Sequence, residues 1–360
     1  MEFKTTITQS IDAYWWDKQL EKNEHSTAYQ TSFWAHLYQK TYNSKPYYIY
    51  ITKLNGEIVG QLCILIHKEY LFEHTNFLKK LLVSSLGDLK FIKWEYGPII
   101  YDIVNKNQII LQILSAIDQI AKCEKVIMIR GSSNPYDSEN NNEFQQAGFS
   151  IEQWKTPIIS LDNDLNLYFE NLDKKTRYDI RKLEKLNFTF EVANKKSQFY
   201  DFTKIGIKSR QKQGESRILN DIRIDNDWEL LYKNGHLKLF LVNQNSKMLS
   251  GIWCLIFNKI VIQHGVVNSI DGSKDAGTFL TWNSIKECMK LNHRIFDLGG
   301  ANPNPLSIKE KNIDFYKSKW ATDSKPYYFY TKIINRNKWN IFQLIKNPKK
   351  SLKKIRRIFN

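Results

Sequence analysis

The feature that most constrains the fold is a strand–turn–strand pattern that occurs twice. Two β-rich runs flank an Asn-Gly turn in residues 45–66, and the pattern returns around a polar turn in residues 236–257. The second strands align as GQLCI (60–64) and GIWCL (251–255). We therefore predict two β-hairpins that belong to two related halves.

The segments between the hairpins mix helices and strands. Isoleucines recur at helical spacing in residues 108–123, and apolar runs predict strands at 125–130, 261–267, 295–298 and 327–333. Further helices are predicted at 29–42 and 276–291, a strand leading into a Gly-Pro turn at 94–102, and a helix or loop-rich insertion at 71–89. Strict βαβ alternation and Gly-rich phosphate loops of the dinucleotide or Walker type are absent from the sequence. An α+β fold with mixed sheets is the prediction.

Length and apolar content favour two domains. The chain has 360 residues, of which 42% are hydrophobic, enough for two cores of ordinary size. The composition changes at Asn163, from which long helices are predicted. We predict a first domain at 1–155, a second at 156–335, and a separate tail at 336–360.

Positive charge is concentrated at the C-terminus. The net charge is +16, yet residues 336–360 contain nine Lys and Arg and no acidic residue, which leaves +7 for the rest. Such charge favours polyanionic partners: nucleic acid, anionic lipid or phosphorylated substrates. In the tail, Leu352, Ile355 and Phe359 recur at helical spacing among basic residues. The tail is therefore expected to lie on an anionic membrane, to pack on the second domain, or to contact tRNA.

Cysteine spacing and the N-terminal residues indicate a reduced compartment. The four cysteines form no C-x-x-C pair and have no suitably spaced histidine, so no metal site is expected. The first residues lack the apolar region of a signal peptide. We expect a cytoplasmic protein, peripheral to the inner face of the membrane if it works there.

Three stretches carry candidate chemistry. Residues 172–187 predict a helix with an apolar face and a cationic face that includes Arg177 and Arg181, although a solvated face explains the same pattern. In RIFDLGGANPNP (294–305), a strand ends at Asp297 before a glycine pair, which suits close approach to a ligand or a plain turn. In IDFYKSKW (313–320), lysines lie among aromatics, which suits phosphate contact or packing of lysine stems on the core.

Taken in order, these stretches resemble the FemABX family of aminoacyltransferases. The matching pattern is a helix of the type L-x-K-K-x-R-x-x-I-R-K-x-x-K, a long helix with Arg210 and Gly214, then FDLGG, and finally F-Y-K-x-x-W. The resemblance covers most of residues 30–332. It implies two tandem GNAT-like domains and transfer of an aminoacyl group from aminoacyl-tRNA to an amine of a peptidoglycan precursor.

The resemblance also implies residue roles. The lysine of the family's F-K motif, which contacts the nucleic-acid end of the donor, corresponds to Lys317, with Tyr316 as an adjacent wall. Arg177 and Arg181 would hold phosphate or carboxylate groups at the substrate channel. The floor of the same cleft would be formed by Asp297, Gly299 and Gly300.

The first half departs from the family pattern. Gln30 and Trp34 match an early Q-x-x-x-W, but the position of a lysine that binds acceptor nucleotide phosphates in some members is Tyr38. Similarly, Tyr101 replaces an aspartate, and Asp102 follows it. Trp34 and Tyr38 are therefore expected to contact an acceptor that is either nucleotide-linked or lipid-linked.

The reaction asks little of side chains and no cofactor is expected. An aminoacyl ester is already activated, so proximity and stabilisation of the tetrahedral intermediate can suffice. The seven histidines form no recognisable cluster in the sequence, and His264 on an apolar strand is expected to be a core residue. Two alternatives remain: an acyl-CoA-dependent N-acyltransferase of the cell envelope, and a non-catalytic basic protein that binds nucleic acid or membrane.

Overall fold

The two predicted hairpins lie within one sheet that runs through the whole molecule. The computed structural model describes residues 2–68, 89–137, 141–162, 164–212, 219–269 and 274–346. The strands in this part of the chain are Phe3–Thr8 (β1), Lys45–Lys53 (β2), Ile58–Lys68 (β3), Lys90–Lys93 (β4), Ile99–Ile100 (β5), Met128–Ser132 (β6), Ser150–Ser160 (β7), Thr189–Val192 (β8), Leu237–Gln244 (β9), Lys247–Phe257 (β10), Ile260–Asn268 (β11), Ile295–Asp297 (β12) and Asp323–Ile333 (β13).

Helices cover both faces of this sheet. Those described are Ala13–Glu21 (α1), Ser32–Tyr42 (α2), Lys106–Glu124 (α3), Asn142–Gln146 (α4), Leu165–Asn171 (α5), Lys174–Leu183 (α6), Lys196–Gln211 (α7), Asp221–Asn226 (α8), Lys274–Lys290 (α9), Ile308–Ser318 (α10) and Arg336–Lys346 (α11). A 3₁₀ turn precedes α2 at Ala28–Gln30, and a π-helical turn follows α8 at Asp227–Tyr232. None of the described helices is long and apolar enough to cross a membrane.

Both halves have the same order of elements. Apart from the two-residue strand β5, which has no counterpart in the second half, the first half runs β2–β3–β4–α3–β6–α4–β7 and the second runs β9–β10–β11–α9–β12–α10–β13. In each half a hairpin is followed by a strand and a helix that crosses to a parallel strand, because β4 pairs in parallel with β6 and β11 with β12. The internal repeat inferred from the two hairpins is thus present in the tertiary structure.

The halves exchange their last strands. The sheet order is β1-β2-β3-β4-β6-β13-β7-β12-β11-β10-β9-β8, with β5 paired to β3. The last strand of the first half, β7, therefore pairs with β12, and the last strand of the second half, β13, pairs with β6. Since β7 and β13 also pair with each other, the exchange joins the halves through backbone hydrogen bonds.

Each half has its own apolar core on one face of the sheet. In the first, the isoleucine face of α3 packs on β2 and β3, as its spacing predicts, with Ile109, Ile113, Ile117 and Ile120 all buried. In the second, α9 packs on β9 and β10 through Leu280 and Ile285. A third core, which includes Trp34 and Trp253, lies between the halves.

The basic helix is shorter than predicted. It spans Lys174–Leu183, and Asp173 caps it by accepting a hydrogen bond from the Thr176 amide at 2.9 Å. The helix ends at its C-cap residue Glu184, and β8 begins five residues later, at Thr189. Phe188 then packs on Phe279 of α9.

The Gly-Pro turn predicted within 94–102 is present, but the strand predicted to lead into it is not. Residues 94–98 form a turn with a cis Gly97–Pro98 bond, and only Ile99–Ile100 pair as a strand. The Glu95 carbonyl accepts a hydrogen bond from Gln30 Nε2 at 2.7 Å, so a side chain replaces the strand partner. The predicted element at 71–89 lies outside the described residues except for Leu89.

The described part of the basic tail is the helix α11, which packs on the first half. Its Phe342 and Ile345 are buried against Phe91 of β4 and Met128 of β6. The alternative in which the tail packs on the second domain is therefore wrong for 336–346. The amphipathic segment with Leu352, Ile355 and Phe359 lies outside the described residues.

Candidate active site

The strand β12 delivers a buried carboxylate to the centre of the molecule. Asp297 is fully buried, and its oxygens accept hydrogen bonds from the Thr156 hydroxyl, from Tyr136 Oη at 2.6 Å and from the Gly299 amide at 2.7 Å. Tyr96 Oη lies farther away, at 3.4 Å. Burial raises the pKa of this carboxyl group, and its hydrogen bonds oppose that change. Asp297 thus fixes the turn that follows it.

The glycine pair after Asp297 holds a lysine. Gly299 has a φ of +77°, which glycine adopts without strain, and a Cβ on Gly300 would lie 2.3 Å from Tyr327 Oη. The carbonyl oxygens of Gly299 and Gly300 accept hydrogen bonds from Lys317 Nζ at 2.9 and 3.0 Å. Both glycines are therefore needed for this geometry, and two of the three ammonium protons are engaged.

Burial changes the protonation of this lysine. Desolvation lowers the pKa of Lys317 to about 8, although the carboxylates of Asp297 and Asp314 act in the opposite direction. The ammonium form still predominates at neutral pH. Lys317 is accordingly a cation whose third proton is available to a ligand and whose charge can be titrated.

Tyr316 joins the helix α10 to the first turn of α9. Its hydroxyl lies 2.9 Å from the Gly277 carbonyl and 2.8 Å from Thr281 Oγ1. Burial raises the pKa of this phenol, so the hydroxyl stays protonated at neutral pH. The tyrosine thereby positions the start of α9 beside Lys317.

A cavity of about 930 Å³, which we call the Lys317 cavity, opens between these elements. Its size suits a nucleotide-sized ligand. Arg210 of α7, Lys309 of α10 and Lys317 supply positive charge, and polar side chains face it from β10 and β11. The lining residues are Gly206, Ser209, Arg210, Ser250, Ile252, Gln263, Val266, Val267, Asn268, Gly277, Leu280, Thr281, Leu298, Ile308, Lys309, Asn312, Ile313, Tyr316 and Lys317.

Arg177 and Arg181 lie elsewhere. They line a separate pocket of about 580 Å³ together with Asn166, Phe169 and Glu170. The Arg177 guanidinium donates to the carbonyls of Glu170 and, at 2.9 Å, of Leu172, while Arg181 lies 5.3 Å from the centre of the Phe169 ring. The structure therefore does not bring the basic helix to the Lys317 cavity.

Trp34 and Tyr38 belong to a different group, the Arg223 cluster, in which four aromatic rings surround one guanidinium. The Arg223 Cζ atom lies 5.7–5.9 Å from the ring centres of Trp34, Tyr38, Tyr42 and Trp253. Arg223 Nε also donates to Asp227 at 2.7 Å. Trp34 and Tyr38 thus help to hold a cation from the second half against the first.

Glu95 is an acidic residue beside this cluster that the sequence reasoning did not select. Its side chain is solvent-exposed, yet the surrounding protein desolvates the carboxylate and raises its pKa to about 7. The charges of Lys93 and Arg223 oppose that increase.

Four tyrosines pack together near Asp297, and we call them the tyrosine cluster: Tyr29, Tyr96, Tyr136 and Tyr327. The ring of Tyr96 packs edge-on against Tyr29, Tyr136 and Tyr327, with centroid distances of 5.3, 6.3 and 5.6 Å. Tyr29 Oη lies 3.0 Å from Nδ1 of His264, and desolvation by the surrounding protein lowers the pKa of that histidine to about 3. His264 is therefore neutral and hydrogen-bonded, but it is exposed, so the expectation of a core residue is wrong.

The structure thus brings together five of the predicted residues: Asp297, Gly299, Gly300, Tyr316 and Lys317. Arg210 lines the Lys317 cavity, whereas Arg223 belongs to the separate Arg223 cluster and Glu95 lies within its electrostatic reach. None of these three residues had been assigned to a site from the sequence. The only signal for Glu95 was a charged residue between two aromatics just before Gly-Pro, in WEYGP. In the described part of the chain, no group of three His, Cys, Asp or Glu side chains could share a metal ion.

Several solved structures have an architecture similar to that of this chain. The crystal structure of FemX superposes with a TM-score of 0.71 at 14% identity, covering 96% of this chain and 100% of FemX. A tandem GNAT protein from the clavulanic acid biosynthesis pathway follows with a TM-score of 0.53 at 8% identity, over 92% of this chain and 98% of that one. L-PGS from Bacillus licheniformis has a TM-score of 0.51 at 10% identity, over 86% and 90%. No protein-family model and no curated protein matches the sequence.

These similarities confirm the predicted fold. The chain has a FemX-like architecture of two GNAT-like halves with mixed sheets, in agreement with the resemblance to FemABX proteins found in its motifs. At these identities the likeness concerns the fold alone.

Proposed function

We propose that this protein transfers an aminoacyl or acyl group to an amine, and that the acyl donor binds in the Lys317 cavity. The observation that carries the proposal is the ammonium of Lys317, held by the carbonyls of Gly299 and Gly300 at the edge of a cavity of about 930 Å³. The first turn of α9 reaches the same cavity through Gly277, where helix amides favour phosphate oxygens. A phosphate-bearing donor fits this combination.

The chemistry is that of an ester or thioester attacked by an amine. The attack needs alignment of the two substrates and stabilisation of the negative charge that develops on the carbonyl oxygen. Lys317 would stabilise phosphate or that oxygen with its third proton, and Tyr316 would keep α9 in place. Neither role requires a nucleophilic side chain.

For the donor we favour aminoacyl-tRNA, in line with the FemX-like fold. A tRNA extends well beyond a cavity of this size, so Arg177 and Arg181 at their separate pocket would contact its backbone. For the acceptor we favour an amine of a peptidoglycan precursor, nucleotide-linked or lipid-linked, near Trp34 and Tyr38. The protein would act in the cytoplasm, with residues 336–360 at the membrane surface.

Acyl-CoA is the second candidate donor, because the Lys317 cavity alone is large enough for a nucleotide. The two donors predict different behaviour of the remote arginines. Arg181→Ala should reduce transfer from aminoacyl-tRNA several-fold, since one phosphate contact is lost, and should leave transfer from acyl-CoA unchanged.

The deciding experiment supplies radiolabelled aminoacyl-tRNA or radiolabelled acetyl-CoA together with a lipid-linked or nucleotide-linked muropeptide, and follows label in the acceptor. Transfer from one donor identifies the reaction. If label moves from neither donor to either acceptor, the transferase proposal is refuted and a non-catalytic binding protein is favoured. Lys317→Met, compared with Lys319→Met on the same helix, then tests whether the Lys317 cavity is the donor site.

A further inference from the structure

The helix α10 has an outer face that the rest of the described chain leaves uncovered. It spans eleven residues, Ile308–Ser318, and none of them is buried. Leu306, just before the helix, is 92% exposed, Ile308 is 79% exposed and Phe315 is 66% exposed. Ile308 and Phe315 are seven residues apart and therefore lie on the same face of the helix. Large apolar side chains grouped on a surface in this way mark a site of interaction.

Capping of the helix does not explain the apolar side chain of Leu306. The capping box is complete, because Ser307 Oγ accepts a hydrogen bond from the Glu310 amide at 3.1 Å and the Glu310 carboxylate accepts one from the Ser307 amide at 3.0 Å. In such a motif an apolar residue at the position of Leu306 often packs on the fourth helical residue. That residue is Lys311, which is exposed, so this packing is not the role of Leu306.

Positive charge accompanies these apolar side chains. Lys311 is exposed, and Lys319 Nζ lies 5.1 Å above the centre of the Phe315 ring. The two acids of the helix are engaged within the protein, since Glu310 belongs to the capping box and Asp314 forms an ion pair with a lysine of β7 at 2.8 Å. The outer face of α10 therefore presents apolar side chains together with a positive net charge.

We propose that this face docks the protein on an anionic membrane; we call it the α10 surface and define it by Leu306, Ile308, Lys311, Phe315 and Lys319. Apolar side chains enter the boundary between headgroups and acyl chains, and the lysines beside them attract anionic headgroups. Nucleic acid would attract the same lysines, but two of the three apolar side chains are aliphatic and cannot stack on bases. The chemistry of the surface therefore favours lipid over nucleic acid.

The α10 surface is separate from the tail. The helix α11 packs on β4 and β6 of the first half, whereas α10 belongs to the second half. Lys309 and Asn312 of α10 line the Lys317 cavity, so docking through α10 brings the rim of that cavity toward the headgroups. The inference concerns attachment alone and does not depend on the transfer reaction.

Cosedimentation of the full-length protein with vesicles tests the α10 surface. Leu306→Ser and Phe315→Ser should each weaken binding to mixed phosphatidylcholine–phosphatidylserine vesicles about tenfold, because each removes a large apolar side chain from the lipid boundary. Both residues are exposed and neither lines the Lys317 cavity, so the melting temperature and donor binding should stay those of wild type.

A matched control and a charge variant complete the set. Leu54 is 78% exposed, but the neighbouring Lys53 is paired with Glu57 at 3.0 Å, so Leu54→Ser should bind vesicles as wild type does. Lys311→Gln should weaken binding to the mixed vesicles about fivefold. With pure phosphatidylcholine, which offers no anionic headgroup, Lys311→Gln should match wild type.

Three results would overturn the proposal. The first is a wild-type protein that does not bind the mixed vesicles. The second is unchanged vesicle binding by Leu306→Ser and Phe315→Ser, which would assign attachment to the tail or to another surface, or an equal loss in Leu54→Ser. The third is loss of tRNA binding by the Leu306 and Phe315 variants with vesicle binding intact, which would assign the α10 surface to nucleic acid.

Discussion

Replacing Lys317 by methionine should weaken binding of the acyl donor without changing the fold. Methionine keeps the length of the side chain but removes its charge and its three protons. Two of these protons are bonded to Gly299 and Gly300, so one remains for a donor phosphate. A hydrogen bond to a charged group contributes about 1.5–3 kcal/mol. Since about 1.4 kcal/mol corresponds to a tenfold change, the variant should bind the donor about 10- to 150-fold more weakly.

The pH dependence of this effect is the sharper part of the prediction. Burial lowers the pKa of Lys317 to about 8, so the wild-type side chain is charged below pH 8 and loses its charge above it. Wild-type affinity should therefore fall as pH rises through 8, toward the affinity of Lys317→Met. The variant has no such group, and its own binding curve should lack this transition.

Equilibrium binding of radiolabelled aminoacyl-tRNA and of radiolabelled acetyl-CoA at pH 6.5 to 9.5 would measure both effects. Lys319→Met is the control, because Lys319 lies 5.1 Å above the Phe315 ring and does not line the Lys317 cavity. A ratio of affinities below about threefold at pH 7, or a ratio that stays constant up to pH 9.5, would show that the Lys317 charge does not bind the donor.

Three further predictions concern the frame of the site and the tail. Asp297→Ala leaves the Thr156 and Tyr136 hydroxyls and the Gly299 amide without an acceptor. The free energy of unfolding, measured in urea, should therefore fall by about 3 kcal/mol or more. A loss below about 1 kcal/mol would contradict the role of these three hydrogen bonds in stability. Gly131→Ala places a Cβ 1.8 Å from the Trp94 ring. This overpacking should lower the free energy of unfolding by about 3 kcal/mol and the melting temperature by several degrees. An unchanged melting temperature would refute the close approach. Truncation after residue 346 keeps α11 on its apolar contacts and removes six basic residues, so the protein should lose affinity for vesicles rich in phosphatidylserine without losing thermal stability. Full retention of binding would exclude the tail as an anchor.

Local patterns in the sequence were sufficient to predict most elements. The two hairpins form where their alternating strands and turns place them, and the isoleucine face of α3 is buried as its spacing requires. Errors arose where a distant side chain competes with the local preference. Gln30 Nε2 donates to the Glu95 carbonyl, and the strand predicted to lead into Gly97–Pro98 is part of the turn instead.

The order of FDLGG and FYK in the sequence likewise identified the cluster around Lys317, because one strand end and one helix supply Asp297, the glycine pair and Tyr316–Lys317. Arg177 and Arg181 match the same family pattern, but they lie at another pocket. Periodicity defines which face of a helix is basic; it carries no information on which of several surfaces that face will meet.

The sequence by itself determined a doubled α+β fold and a lysine beside a glycine pair, because these depend on short-range spacing. Only the tertiary structure decided that β7 and β13 are exchanged between the halves, since strand pairing over such distances is set by the packing of the whole sheet. It alone also brought Glu95 of the first half into the electrostatic environment of Arg223 of the second. The raised pKa of Glu95 is a property of that surrounding protein, and no local sequence pattern encodes it.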